Sequence, residues 1–380
     1  MRDYVLIYFD NAATTMLSDF VKQQMINSME VFGNPSSLHM LGIDGENIIR
    51  SAQKTVSLVL KCKPEQIYFT SGGTESDNTA IFGVADALKR KGKKIVTTAF
   101  EHSAVLAPLK KLEENGYEVV YLTPDNDGTV SEKAFFDAID DQTILVTAMH
   151  INNETGAILP IDKISQIIKQ KNSPAIFHCD ATQSFCKYPI DVKKWGIDLL
   201  TASAHKIHGP KGVGILYVAD NVKITPLIYG GLQQKGFRPG TESTLLISGF
   251  DAAIKDFGKM EENAEIARRI KNYLIDELNK IGGVLINSPQ NSSDYILNIS
   301  VNGIKSETLL HFLENYEIYV SSGSACSKGK LSHVTQALGM DRKRADSVLR
   351  LSFSKNSTID EAKELITCIK SAQQRLIRAK

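Results

Sequence analysis

From about Gln66 to Val218, short apolar runs alternate with stretches of helical periodicity. Ile67-Tyr-Phe-Thr, Ile95-Val-Thr-Thr, Val119-Val-Tyr-Leu, Ile144-Leu-Val-Thr-Ala, Ala175-Ile-Phe-His-Cys, Leu199-Leu-Thr-Ala-Ser and Gly214-Ile-Leu-Tyr-Val read as strands, and 76–88 and 164–170 as helices between them. Such alternation predicts crossover units and a mostly parallel sheet covered by helices. Further on, Ile266, Ile270, Leu274 and Leu278 recur at helical spacing. They predict one long amphipathic helix over roughly 251–281, ended by Gly282-Gly283. Leu297, Ile299 and Val301 alternate with Asn298, Ser300 and Asn302, and Leu349, Leu351 and Phe353 alternate with Arg350, Ser352 and Ser354. Both patterns predict half-buried strands of a second, mixed sheet with helices on one side. Thr358 and Glu361 form a capping-box pair before a closing helix that runs to about Ile377. The expected class is α/β. A large, mostly parallel sheet domain spans 15–255 and a smaller α+β domain spans 256–380, joined by the N-terminal segment 1–14.

Composition removes several functions. The 380 residues carry 44 Lys plus Arg against 43 Asp plus Glu, a net charge of +1. A nucleic-acid binder would show a basic excess, and the dense stretch Lys89-Arg-Lys-Gly-Lys-Lys94 reads as a solvated helix end. No apolar run approaches a membrane span, and the N-terminus is too quickly polar for a signal peptide. Five cysteines without metal-ligand spacing fit a reducing cytoplasm, with a thiol free for chemistry.

The candidate chemistry gathers at strand ends, where open α/β sheets bind ligands. Ser71-Gly-Gly-Thr-Glu-Ser76 follows a strand and opens a helix. Its glycines, with Thr74, suit a phosphate, or else a tight turn capped by Thr74. Asp180 ends a strand, where it is either a helix cap or the partner of a cationic ring nitrogen. His178, Cys179 and Asp180 are consecutive, so they alternate faces and cannot share a metal. Lys206 follows Ser203-Ala-His205, and a buried lysine needs a reason that an imine supplies. His102 is either a capping or surface histidine, or a ring that stacks on a cofactor and carries protons. Asn153 is a turn residue or a hydrogen-bond donor to cofactor and substrate. An amine, a phosphate cradle and a carboxylate together are what pyridoxal 5'-phosphate requires.

The runs Phe9-Asp-Asn-Ala-Ala-Thr-Thr15, Gly33-Asn-Pro-Ser-Ser-Leu-His39, Thr70-Ser-Gly-Gly-Thr-Glu-Ser-Asp-Asn78, Glu101-His102, Asn152-Asn-Glu-Thr-Gly156, Asp180-Ala-Thr-Gln183, Ser203-Ala-His-Lys206, Arg238-Pro-Gly-Thr-Glu242 and Ser321-Ser-Gly-Ser-Ala-Cys326 occur in this order. They resemble the cysteine desulfurases, pyridoxal phosphate enzymes of the aminotransferase class V group, in the branch that serves iron–sulfur cluster assembly and nitrogen-fixation-type sulfur supply. The resemblance implies the fold type I architecture of such transferases and the conversion of L-cysteine to L-alanine with a persulfide left on Cys326. It also implies a Schiff base on Lys206, Asp180 at the ring nitrogen, Gln183 at the ring oxygen and His102 stacked on the ring. Gly73, Thr74, Ser203 and His205 would hold the phosphate. Thr241 would reach the cofactor of a second subunit, making a homodimer, and Arg350 would clamp the substrate carboxylate. A sulfur-acceptor protein such as an iron–sulfur scaffold is the implied partner. The alternatives are a selenocysteine lyase or other class V enzyme, and a non-catalytic sulfur-carrier adaptor. Two departures stand out: a slightly short stretch after Cys326, and Ser354 where glycine is usual.

Overall fold

In the computed structural model, residues 6–125, 127–322 and 331–376 are described. The strands in chain order are β1 (Ile7–Tyr8), β2 (Ile67–Thr70), β3 (Lys94–Thr98), β4 (Glu118–Leu122), β5 (Thr143–Met149), β6 (Ile176–Asp180), β7 (Leu199–Ser203), β8 (Gly214–Val218), β9 (Val284–Ile286), β10 (Ile296–Val301), β11 (Ile318–Tyr319) and β12 (Val348–Ser352). All seven apolar runs predicted in the first half are strands, and they form one sheet in the order β2-β8-β7-β6-β5-β3-β4. β8 is antiparallel to both neighbours, and the other pairings are parallel. β2, β3, β5, β6 and β7 therefore point the same way and end at the same edge. Their residues are almost wholly buried: β5 reads Thr143 to Met149 without one exposed position. That is the signature of a parallel sheet covered on both faces.

The predicted helix over 251–281 is two helices, Thr244–Phe257 and Met260–Leu278. The chain breaks at Gly258, whose φ of +80° ends the first helix in a conformation that a side chain would strain. The break separates two cores. Ile247, Phe250 and Ile254 pack into the large-sheet core, whereas Ala267, Ile270, Leu274 and Leu278 pack with β10, β12 and the closing helix.

The second sheet also differs from expectation. β12-β10-β9 is antiparallel throughout, not mixed; the parallel pair is β1 with β11. β10 and β12 are not half-buried either, since Asn298, Ser300, Arg350 and Ser352 are all buried. Alternation correctly marks two faces here, but the polar face meets other protein and not water. Asn298 Nδ2, for example, donates to the Glu154 carbonyl at 3.1 Å. The N-terminal strand joins this sheet's core through Ile7, Phe9 and Ala12. Thr358 and Glu361 form the predicted reciprocal cap: Thr358 N–H donates to Glu361 Oε2 at 2.6 Å, and Glu361 N–H donates to Thr358 Oγ1 at 3.2 Å. Among the described residues, no helix is long and apolar enough to cross a membrane.

Candidate active site

The common edge of β2, β3, β5, β6 and β7 collects most of the residues singled out above. β2 runs into Ser71, then the helix Gly73–Leu88. This helix is not capped by Thr74, which lies inside its first turn. The cap is Gly72, at φ +148°. Glycine is required hereabouts for space as well as conformation: a Cβ on Gly214 would lie 2.8 Å from the backbone of Gly72. One on Gly72 would sit 4.0 Å from Ser203 Oγ, so the β2 turn and the end of β7 face each other.

Lys206 lies in a short 3-10 turn, Ala204–Lys206, straight after β7. Its Nζ donates to the carbonyls of Ala12 (2.7 Å) and Ala13 (2.8 Å). Burial holds its pKa down at about 7, with Arg350 and Lys187 adding repulsion and Asp180 and Asp10 opposing them. Gln183 Nε2 donates to the same Ala12 carbonyl at 3.0 Å, while its Oε1 is buried without a hydrogen-bond partner. Asp180 is buried at the end of β6 and accepts the Thr182 N–H at 2.9 Å. His205 Nδ1 is 3.2 Å from Thr14 Oγ1, and burial with Lys206 nearby takes its pKa to about 4.

His102 caps the helix Ser103–Glu114, its Nδ1 accepting the Ala104 N–H at 3.1 Å. Capping does not exclude the other role, because the ring also feels Asp180, Lys206 and His333, and burial lowers its pKa. Arg350 crosses from β12: Nη1 donates to the Asn153 carbonyl at 3.0 Å and Nη2 to Asp10 Oδ1 at 2.8 Å, while Nε is buried without a partner. Asn153 thus meets Arg350 through its backbone.

Three predicted residues stand apart. Thr74 and Thr241 are exposed, as His102 is too although its ring has Asp180, Lys206 and His333 for neighbours, and Cys326 lies outside the described residues. The other cysteines are all reduced, and burial pushes the thiols up: Cys62 to about 12, Cys368 to about 11, Cys179 and Cys186 further.

Several contributions escape a reading of motifs, even where the motif itself is noted, as with Phe9–Thr15 and Glu101. The run Phe9–Thr15 supplies backbone carbonyls to Lys206 and a carboxylate, Asp10, to Arg350, and a carbonyl carries no side-chain signal. Lys187 is buried with its ammonium 5.4 Å from the centre of the Tyr295 ring. The charge in the apolar run Phe185-Cys-Lys-Tyr188 was its only signal. Glu101, fully buried and pushed up to about 8 by burial, binds the Met149 N–H at 2.9 and 3.0 Å.

Pyridoxal phosphate fits these residues on chemical grounds. Gln183 Oε1 is buried without a partner, the Lys206 amine shares the Ala12 carbonyl with Gln183 and has a depressed pKa, Asp180 offers a buried carboxylate, and the Gly72–Gly73 turn leaves room for a phosphate beside Ser203.

Comparison with known proteins extends this to the whole chain. The family model described as "Aminotransferase class-V" matches residues 7–365. "Cysteine desulfurase IscS" of Clostridium botulinum is 41% identical over 363 residues, covering 93% of this chain and 91% of the relative. "Cysteine desulfurase IscS" of Methanosarcina thermophila is 40% identical over 375 residues, covering 97% and 92%. Among solved structures, a "NIFS-LIKE PROTEIN" superposes with a TM-score of 0.92 at 36% identity, covering 97% of this chain and 100% of that one. "SspA in complex with cysteine" superposes with a TM-score of 0.82 at 34% identity, covering 93% and 100%. With the fold type I sheet and this edge of convergent groups in place, full-length likeness makes the chain a member of the aminotransferase class-V family and, within it, of the cysteine desulfurases.

Proposed function

We propose that this protein is a pyridoxal 5'-phosphate enzyme that converts L-cysteine to L-alanine and keeps the sulfur as a persulfide on Cys326. One observation carries the reading above the others. A half-buried lysine amine, held by the Ala12 and Ala13 carbonyls and with a depressed pKa, stands at the ligand-binding edge of a chain whose full-length relatives are cysteine desulfurases.

Lys206, Asp180, Gln183, Gly73, Thr74, Ser203, His205, His102 and Asn153 would hold the cofactor, with Thr241 of a second copy. When bound, the cofactor withdraws electrons from the substrate Cα, which Asp180 favours by keeping the ring nitrogen protonated. Arg350 binds the substrate carboxylate, and the free donor at its Nε gives it a further bond to offer. Lys206, its pKa brought down to about 7 so that a large share of the amine is unprotonated near neutral pH, takes the Cα proton. The Cys326 thiolate attacks the substrate sulfur. The C–S bond breaks with its electron pair left on carbon, and protons returned to Cβ and Cα complete alanine. His102, neutral and poised beside Lys206 and Asp180, handles the proton of the substrate thiol. The other four thiols are held protonated by burial, so Cys326 is the reactive one by chemistry.

The site is completed in a homodimer. Phe32 (79% exposed), Leu38 (97%), Tyr229 (79%) and Leu232 (88%) present apolar surface that a monomer has no use for. Thr241, exposed in its own chain, is free to complete a partner's site. The cores on either side of Gly258 support a large domain over 15–255 and a small one over 256–380, with 1–14 linking them. Sparse, reduced cysteines suit the cytoplasm. The persulfide passes to an acceptor protein, an iron–sulfur scaffold being the kind that the sequence resemblance implies.

The test is incubation with L-cysteine. Alanine should form, and one sulfur should add to the peptide containing Cys326. Absence of alanine, or turnover of selenocysteine but not of cysteine, rejects the reading.

A further inference from the structure

Ser332 and His333 are consecutive, yet each is tied to a different buried turn at the sheet edge. Ser332 Oγ lies 2.8 Å from both carboxylate oxygens of Glu154, the residue after Asn153. His333 Nε2 lies 2.7 Å from the Glu101 carbonyl oxygen. A carbonyl only accepts, so His333 Nε2 carries the proton. Val334 then anchors the segment by packing into the large-sheet core.

The Glu101 carbonyl belongs to the peptide plane that precedes His102. Pinning that oxygen fixes the plane, and with it the direction in which His102 leaves the backbone. The rest of this turn is pinned too. Asn152 Nδ2 donates to the Phe100 carbonyl at 2.9 Å, and the Glu101 carboxylate accepts the Thr98 hydroxyl at 2.5 Å and the Met149 N–H. His102 Nδ1 accepts from the Ala104 N–H, so a neutral ring must carry its proton on Nε2. His333 supplies the one bond in this set that comes from outside the β3 and β5 turns.

We propose that His333 is a positioning residue for His102. Through the Glu101 carbonyl it fixes the peptide plane that places the His102 ring where Nδ1 accepts the Ala104 N–H, and so keeps the proton on Nε2, while Ser332 ties the same segment to the Asn153–Glu154 turn that meets Arg350. The kinetic part of this inference rests on the desulfurase reading, and the spectroscopic part does not.

Nitrogen NMR of protein labelled with 15N-histidine reads the tautomer directly, with the His102 signals assigned by their loss in His102→Gln. In wild type, His102 Nε2 should show the protonated shift and Nδ1 the unprotonated one. His333→Gln, whose amide can donate from the same place, should keep that pattern and wild-type kcat. His333→Phe keeps a ring but loses the donor. Its His102 shifts should average towards each other, and kcat with L-cysteine should fall about tenfold while KM stays within about twofold. If His333→Phe does not fold, His333→Asn, whose amide falls short of the carbonyl, takes its place with the same expectation. Ser332→Ala should cost less than loss of the His333 donor. An unchanged His102 pattern and kcat without that donor overturns the proposal, as does an equal loss in Ser332→Ala, which would make docking of the segment the cause. A wild type that makes no alanine sinks the desulfurase reading but leaves the nitrogen shifts to decide this one.

Discussion

Arg350 and Asp10, 340 residues apart, form an ion pair, Nη2 to Oδ1 at 2.8 Å, in which the guanidinium is buried and the carboxylate half-buried. β12 brings one and the N-terminal segment the other, so the guanidinium is paired before any substrate arrives. The Asn153 carbonyl takes a second donor, and Nε is left over.

Asp10→Ala should therefore destabilise the protein by about 3 kcal/mol, because it leaves a guanidinium buried without its carboxylate. A carboxylate ligand should restore part of the loss. Thermal unfolding with and without L-alanine checks this: the variant should gain more from the ligand than wild type does. Arg350→Lys, which gives up the planar fork, should raise KM for L-cysteine by roughly 30-fold, the equivalent of about 2 kcal/mol for a charged hydrogen bond.

Borohydride treatment of the cofactor-loaded protein should leave the reduced pyridoxyl group on Lys206, and Lys206→Ala should abolish the label. Peptide mapping that finds it on Lys187, a buried lysine nearby, would move the site.

The Lys206 pKa, down from 10.5 to about 7, makes stability depend on pH. Between those values the unfolded chain holds a proton at Lys206 that the folded chain has released. Through this group, then, the cofactor-free protein gains stability as pH rises from 7 towards 10.5, and the penalty is complete below pH 7. Lys206→Met removes the penalty. It should be more stable than cofactor-free wild type at pH 6–7, and the gap should close by about pH 10 in denaturant titrations. A gap independent of pH would refute the shifted amine.

Brief alkylation at pH 7 should modify Cys326 ahead of Cys62, Cys179, Cys186 and Cys368, whose thiols burial keeps protonated. Cys326→Ser should still bind L-cysteine and stop before sulfur transfer, because a hydroxyl is a far poorer nucleophile towards sulfur. Full alanine production by that variant would end the persulfide mechanism.

Mixing Lys206→Ala with Thr241→Ala should restore activity through hybrid dimers, since one of the two composite sites then carries both native residues. Sites formed within one chain would give no recovery.

The chain's own pattern was enough to find all seven strands of the large sheet, because each is a continuous apolar run bounded by turns, a local property. It also led to the strand-end residues Asp180, Ser203, His205 and Lys206, since open sheets bind ligands at one edge whatever the sequence between. The break at Gly258 escaped because apolar spacing continues in phase on both sides of it. The depth of β10 and β12 escaped because alternation tells two faces apart without saying what covers the second. Tertiary structure alone decided what surrounds the reactive amine. The Ala12 and Ala13 carbonyls, Asp10 against Arg350, and His333 against Glu101 are contacts between residues 194, 193, 340 and 232 positions apart. Backbone oxygens leave no trace in composition, and a charge acquires its pKa only from the burial and neighbours that folding provides.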